Sequence, residues 1–192
     1  MKLWNFFLIL LIQGGSFQLK AQESEIQALV HESTNVHFSL SAGAQMSGIK
    51  NEDFVSNNIA PLVIVSVGKW FTPLLALQLG YRGNYYNTIS DDKKHHYNYF
   101  FGESVFNLNK MVNPKKQLNS FNILFHAGAG YFYNHVYGRP NVLAHLGLSG
   151  DYKLTEQLSI TTNFSAIMGW DIYQGNEDIL PGISLGLSYR ID

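Results

Sequence analysis

Few side chains in this sequence are suited to nucleophilic or acid–base chemistry, and none of them is a thiol. The absence of Cys excludes a disulfide framework, a thiolate metal site and a Cys nucleophile. His145 and Ser149, four residues apart, would lie about 13 Å apart on one extended strand, too far for a hydrogen bond. His126 can approach Ser149 or Asp151 only across neighbouring strands, and no Gly-x-Ser-x-Gly elbow accompanies them. We therefore expect no catalytic residues.

The seven His residues raise the question of a metal site. His37, His126 and His145 fall on three separate segments, whereas His95 and His96 are consecutive. Consecutive residues on a strand point to opposite faces, so the His95-His96 pair is unsuited to chelation. We expect neither a metal nor a cofactor.

Charged residues are unusually scarce. They make up 14% of the chain, as do the aromatic residues, whereas ordinary soluble domains carry about 25% charged residues. This balance indicates a surface covered by something other than water. Without residues 1–21 the chain loses two of its 13 basic residues and none of its 14 acidic ones, which leaves a net charge of −3. No basic patch remains to neutralise phosphates, so nucleic acid is not an expected partner.

The N-terminus has the pattern of an export signal. Lys2 precedes an apolar run from Leu3 to Ile12, which is shorter than the roughly 20 residues that a helical membrane span needs. We predict a cleaved signal peptide over residues 1–21, a short periplasmic segment over 22–35 and one barrel domain over 36–192. No later segment is apolar enough for a helical span, so crossing a membrane would require a closed barrel.

Eight segments alternate between apolar and polar residues, as transmembrane barrel strands do. In the first, Val36, Phe38 and Leu40 alternate with His37 and Ser39. The eight segments are 36–46, 60–71, 74–86, 97–109, 120–132, 141–152, 158–169 and 182–191. The sequence thus predicts an all-β fold, an eight-stranded antiparallel transmembrane β-barrel with up-and-down meander topology.

The links and the aromatic residues support this prediction. Long links at 47–59, 87–96, 133–140 and 170–181 alternate with mostly shorter ones, as outer loops alternate with periplasmic turns. Aromatic residues cluster at both ends of the predicted strands, as in interfacial girdles. The girdle is predicted to comprise Trp70, Phe71, Tyr85, Tyr97, Tyr131, Tyr152, Trp170 and Tyr189. A soluble barrel would show the reverse pattern, with polar residues outside and apolar residues inside.

Charged and ionisable side chains fall on the inward face of the predicted strands. They are Arg82, Glu103, His126, His145, Asp151 and Arg190. Eight strands enclose an interior just wide enough for side chains to fill. An unpaired charge there would cost several kcal/mol, so we expect a polar network in which the charges pair with one another. A narrow ion path is the functional alternative.

One turn carries a family resemblance. Gly68-Lys69-Trp70-Phe71-Thr72-Pro73, followed by Leu77-Gln78-Leu79-Gly80-Tyr81, resembles the small OmpA-type, porin-like outer-membrane barrels, in which such a turn closes a hairpin. The resemblance continues in Phe106-Asn107-Leu108-Asn109 and in Tyr152-Lys153-Leu154-Thr155. It implies a location in the bacterial outer membrane, with lipid and the barrel-insertion machinery as partners.

The C-terminal residues depart from the family pattern in two respects. Tyr189-Arg190-Ile191-Asp192 lacks the terminal aromatic residue that is common in the family's assembly signal. No peptidoglycan-binding domain follows in this sequence, so we expect no cell-wall tethering role.

A structural or surface-interaction role is the function expected from these observations. Loops on rigid scaffolds commonly carry function, and the four long links contain Asp, Asn, Lys and Tyr residues suited to contacting an extracellular protein or glycan. A narrow passive pore and an outer-membrane lipid-modifying enzyme remain the alternatives.

Overall fold

A computed structural model of the chain describes residues 35–47, 58–87, 94–113, 120–170, 172 and 177–191. Each strand pairs antiparallel with the next, and the last pairs with the first, which confirms the predicted closed eight-stranded meander. The strands are β1 (Val36–Met46), β2 (Ile59–Trp70), β3 (Leu75–Asn87), β4 (Lys94–Asn107), β5 (Phe121–Asn134), β6 (Arg139–Lys153), β7 (Leu158–Trp170) and β8 (Glu177–Ile191). The predicted signal peptide and almost all of the segment 22–35 lie outside the described residues.

The two ends of the barrel differ in their connections. We call the end with residues 71–74, 108–113 and 154–157 the turn end, and the opposite end the loop end. Thr72 and Thr155 close two turns in the same way, because each hydroxyl accepts backbone N–H groups from the following residues. In these turns the threonine side chain supplies an acceptor for backbone N–H groups that have no partner in the neighbouring strand.

The third link at the turn end contains a short helix, α1 (Leu108–Val112), where the sequence predicted that strand four continues to residue 109. The Asn107 side chain accepts the N–H of Lys110 at 3.2 Å and so caps the helix. Asn109 ties the helix to β5 by accepting the N–H of Ile123 at 2.9 Å. Among the described residues, no helix is long and apolar enough to cross a membrane.

Three of the four predicted outer loops are shorter than expected, because strand pairing continues into them. Tyr133 pairs with Pro140 and Asn134 with Arg139, which reduces the predicted loop 133–140 to the turn 135–138. Likewise, β4 begins at Lys94 and β8 at Glu177, inside the predicted loops 87–96 and 170–181. The alternation pattern reveals the part of a strand that faces lipid, whereas pairing of the hairpin continues past it.

A belt of apolar side chains covers the outer face of all eight strands. Leu79, for example, is 66% exposed, and Phe164 is 65% exposed. Other exposed members are Phe38, Leu40, Val63, Val65, Val67, Leu77, Phe100, Ile123, Val142, Leu146, Leu148, Ile183, Leu185 and Leu187. A soluble monomer rarely exposes a continuous apolar surface of this extent. The belt is therefore suited to lipid acyl chains and not to water.

The interior differs between its two halves. In the loop-end half, apolar and aromatic side chains fill the lumen and form what we call the plug: Leu62, Ile64, Tyr86, Tyr97, Tyr99, Phe101, Phe132, Leu143, Ile167, Ile172 and Leu180. In the turn-end half, polar side chains surround a cavity. The sequence predicted a polar interior, whereas the loop-end half combines these apolar side chains with buried polar ones such as Gln45, Arg82 and Asn134.

Candidate functional site

The polar cavity has a volume of about 180 Å³. Its wall includes Pro73, Lys110 and Glu156 from the turn-end connections and Trp70 at the end of β2, so the cavity reaches the solvent on that side. Phe101 and Ile64, which belong to the plug, line its inner end. The cavity is thus a pocket with its mouth at the turn end.

Glu103 is the hub of a hydrogen-bonded network in this pocket. The carboxylate is 5% exposed and accepts from Gln78 Nε2 at 2.9 Å. His126 Nδ1 lies 3.1 Å from Oε1, and His145 Nδ1 lies 2.8 Å from Oε2. Gln78 extends the network through its Oε1, which lies 3.1 Å from His37 Nε2. Oε1 of the buried acid is therefore hydrogen-bonded by Gln78 and His126, whereas Oε2 lies close to His145 and has no hydrogen bond in the described chain.

His126 links Glu103 to a serine. Its Nε2 lies 2.6 Å from Ser149 Oγ. An ionised carboxylate can only accept hydrogen bonds, so the neutral imidazole carries its proton on Nδ1, toward Glu103. Nε2 is then the acceptor for the Ser149 hydroxyl. Ser149, His126 and Glu103 consequently stand in the order of nucleophile, base and orienting acid.

Three adjacent strands position this chain of side chains. Across β4 and β5, His126 pairs directly with Val105 and lies diagonal to Glu103. Across β5 and β6, Ser149 pairs directly with Leu124 and again lies diagonal to His126. Diagonal neighbours on one face are within reach of long side chains. The sequence raised a His126–Ser149 approach, but the register that produces it cannot be read from the alternation pattern.

A glycine gives Glu103 and His126 the room to meet. Gly128 pairs with Glu103, and a Cβ at this position would lie 2.1 Å from the carbonyl oxygen of Gly102 and 2.6 Å from the Cβ of Glu103. Strand glycines commonly mark such close approaches of the backbone. The site thus depends on a missing side chain as well as on those present.

Arg82 belongs to a different layer. It is fully buried and donates to Leu180 O at 2.9 Å, Ser165 Oγ at 3.2 Å and Gln45 Oε1 at 3.4 Å. The sequence predicted that the lumen charges pair with one another, but Arg82 does not reach Glu103, because Arg82 pairs in register with Tyr99, whereas Glu103 pairs with Gln78. Arg82 therefore lies closer to the loop end, and its acceptors in the described chain are neutral.

The other predicted lumen residues lie near the mouth of the pocket. Asp151 and Arg190 are half-buried and line the cavity. Asp151 accepts a hydrogen bond from Thr161 Oγ1 at 2.9 Å. They are separate from the Glu103 network.

The predicted girdle residues divide into three groups. Exposed positions on the outer surface are occupied by Phe71, Tyr131, Tyr152, Trp170 and Tyr189. Tyr85 is half-buried, as is Trp70, whose ring lies 6.2 Å from His37 and lines the cavity.

Tyr97 forms the third group, because it lies inside the barrel with 1% of its surface exposed. Its hydroxyl donates to Gln45 Oε1 at 2.6 Å, and its ring stacks on Phe132 at 5.2 Å. Tyr97 and Glu103 are an even number of residues apart on β4, so both face inward. This parity was the sequence signal that could have placed Tyr97 in the lumen.

The histidines do not assemble into a metal centre within the described residues, where no group of three or more His, Cys, Asp or Glu side chains could hold an ion. His95 is buried against the ring of Tyr86 at 5.5 Å, whereas the neighbouring His96 is exposed and contacts Tyr85 at 5.6 Å. The two rings therefore point to opposite faces of β4.

Comparison with known proteins gives matches in structure only. No protein-family model matches the sequence, and no curated protein sequence matches it. Neisserial surface protein A (NspA) superposes with a TM-score of 0.54 at 10% identity, covering 81% of this chain and 97% of that one. Ail, the attachment invasion locus protein of Yersinia pestis, superposes with a TM-score of 0.52 at 10% identity, covering 83% of this chain and 99% of that one. The outer membrane enzyme PagL superposes with a TM-score of 0.50 at 14% identity, covering 81% of this chain and 99% of that one.

Identities this low relate the chain to these proteins by fold alone. The shared architecture is the closed eight-stranded antiparallel meander. Since the set includes both an enzyme and surface proteins, the fold leaves the activity open. The chain has the fold of the small OmpA-type outer-membrane β-barrels, the group that its sequence resembles.

Proposed function

We propose that this protein is a non-conducting barrel of the bacterial outer membrane with a structural or surface-contact role at its loop end. The observation that carries the proposal is the plug, which fills the lumen between the polar pocket and the loop end. In this proposal the apolar belt contacts lipid, the turn end faces the periplasm, and the barrel-insertion machinery assembles the protein.

The plug is packed tightly enough to oppose ion passage. Tyr97 stacks on Phe132, and Tyr99 stacks on Phe101 with 5.7 Å between ring centroids. Leu143 and Leu180, on other strands, are also 1% exposed or less. A hydrated ion crossing this layer would lose its water, which is costly without compensating ligands.

Electrical recording tests the plug. We expect the purified protein to give no steady conductance in a planar lipid bilayer. The double variant Tyr97→Ala, Phe132→Ala removes two stacked rings from the plug and should produce conductance above that baseline. Steady conductance of the unaltered protein, changed by Arg82→Ala, would instead support the narrow pore.

The loop end offers exposed side chains for contact with another macromolecule. At the tip of the β5–β6 hairpin, Val136 is 52% exposed and Tyr137 is 48% exposed. Exposed aromatic and aliphatic residues beyond a lipid belt are typical of interaction surfaces. Two proteins of the same fold are named for a surface location and for attachment. We infer that an extracellular protein or glycan contacts these hairpins.

The proposed orientation can be tested with single cysteines, because the natural chain has none. Val136→Cys at the loop end should react with a membrane-impermeant maleimide on intact cells. Glu156→Cys, exposed in a turn at the opposite end, is the matched control and should react only after the outer membrane is permeabilised. The reverse pattern would contradict the orientation.

A further inference from the structure

We propose that the turn-end pocket is a hydrolytic site for small acyl esters, with Ser149 as nucleophile and His126 as general base. This activity is separate from the proposed surface role, and only the side of substrate access rests on the orientation proposed above. The inference goes against the expectation from sequence, which placed no catalytic residues in the chain. It arises from the register of β4, β5 and β6, which brings the three side chains together.

The geometry is that of an activated serine. The 2.6 Å contact between Ser149 Oγ and His126 Nε2 is within the distance for direct proton transfer. The 3.1 Å contact between His126 Nδ1 and Glu103 fixes the tautomer and the ring orientation. Gln78 on β3 donates a hydrogen bond to Glu103, and His145 on β6 lies 2.8 Å from its other oxygen, so both neighbours restrict the orienting acid. Glu103 is a positioning residue, since it does not reach the nucleophile.

The pocket supplies access and limits substrate size. Ser149 and His126 both line the cavity, which reaches the turn-end solvent, and the plug closes the other side. At about 180 Å³ it is smaller than the roughly 300 Å³ at which pockets for drug-sized ligands begin. Val105 and Leu124 supply apolar wall for a short acyl chain. Short-chain esters are therefore the substrate class that fits.

A polar group lies beside the nucleophile. Asn163 pairs directly with Ser149 across β6 and β7 and also lines the cavity. Its Oδ1 is buried and has no hydrogen-bond partner among the described residues. An unsatisfied buried amide is costly in a resting barrel and often marks a ligand site. This oxygen is an acceptor, so it can bind a donor such as the attacking water, whereas the NH₂ group of the same carboxamide would have to supply any hydrogen bond to the oxyanion next to Ser149.

The proposed reaction balances without a cofactor. Ser149 Oγ forms a bond to the acyl carbon while its proton passes to His126 Nε2. The ester C–O bond then breaks, and the alcohol leaves with that proton. Water, deprotonated by the same nitrogen, attacks the acyl-enzyme, which releases the carboxylic acid and restores the serine.

A covalent phosphonylating or phosphorylating reagent tests the nucleophile directly. We would incubate the purified full-length barrel in detergent with diisopropyl fluorophosphate, which loses fluoride as the serine oxygen bonds to phosphorus. We expect one adduct, mapped by mass spectrometry to the peptide that contains Ser149. The adduct should be absent in Ser149→Ala and form about a hundredfold more slowly in His126→Gln.

Matched variants separate catalysis from folding. Ser184→Ala removes another buried serine, which donates a hydrogen bond to Ser41 and has no histidine partner in the described chain. In this variant Ser149 should be labelled at the same rate as in the unaltered protein. Glu103→Gln should slow labelling, and Glu103→Asp, which keeps the carboxylate, should restore part of the rate. Each variant is first checked for heat-modifiable gel mobility, which reports the folded barrel.

Hydrolysis of p-nitrophenyl acetate provides the second readout. We expect turnover by the unaltered barrel and its loss in Ser149→Ala. The proposal is overturned if Ser149 stays unlabelled in the folded, unaltered barrel. It is also overturned if the Ser149→Ala variant still forms the adduct. Neither result bears on the conductance or orientation experiments, so the two proposals fail separately.

Discussion

Replacing Glu103 by Ala is expected to lower the free energy of unfolding by about 3–5 kcal/mol. The carboxylate accepts from Gln78 and lies within 3.1 Å of ring nitrogens of both His126 and His145. Its removal leaves the half-buried Gln78 amide and the buried His126 ring without their acceptor, and it removes the carboxylate oxygen that His145 contacts. Truncating one member of a buried polar network has the full desolvation penalty of the remaining members.

Equilibrium unfolding in urea, followed by tryptophan fluorescence of the barrel in lipid vesicles, measures this change. Asp151→Ala is the matched control, since Asp151 is a half-buried acid in the same pocket whose carboxylate accepts from Thr161. We expect the control to cost about 1 kcal/mol. Equal decreases in the free energy of unfolding for the two variants would show that Glu103 stabilises the barrel no more than Asp151 does.

The outer face of the barrel was predictable because contact with lipid favours apolar side chains at the outward positions. Leu40, Leu79 and Leu185 are all exposed, as their alternation with polar neighbours predicted. The lumen has no single requirement for polarity, since an inward side chain can face either the plug or the pocket. Tyr97 and Glu103 share one face of one strand, yet one packs among rings and the other among histidines. Parity alone assigns them to the lumen without distinguishing the two environments.

The candidate site was less predictable than the fold. His126 and Ser149 meet only because the β5–β6 register pairs His126 with Gly147 and Leu124 with Ser149. A shift of two residues would preserve every inward and outward assignment and separate the two side chains. Register depends on the closure of the whole barrel, which no single segment of the sequence encodes. The triad therefore becomes visible only when the strands are assembled.

Barrel closure itself depends on a glycine at the seam between β1 and β8. Gly43 pairs with Ser184, and a Cβ at this position would lie 1.9 Å from Ile183 O and 2.5 Å from Ser184 Cα. Both are backbone atoms of the closing strand, so rotation of a side chain cannot relieve the overlap. We expect Gly43→Val to destabilise the barrel by about 3 kcal/mol or more and to abolish the heat-modifiable, fast-migrating form on gels.

The neighbouring residue provides the control for this prediction. Ala42 lies on the same strand but is exposed on the outer face, where added methyl groups meet lipid and not backbone. Ala42→Val should therefore fold and migrate like the unaltered protein. If Gly43→Val also migrated as a folded barrel, the β1–β8 seam would have to be looser than the described register allows. Closure, and with it the pocket that spans both sides of the seam, rests on that close approach.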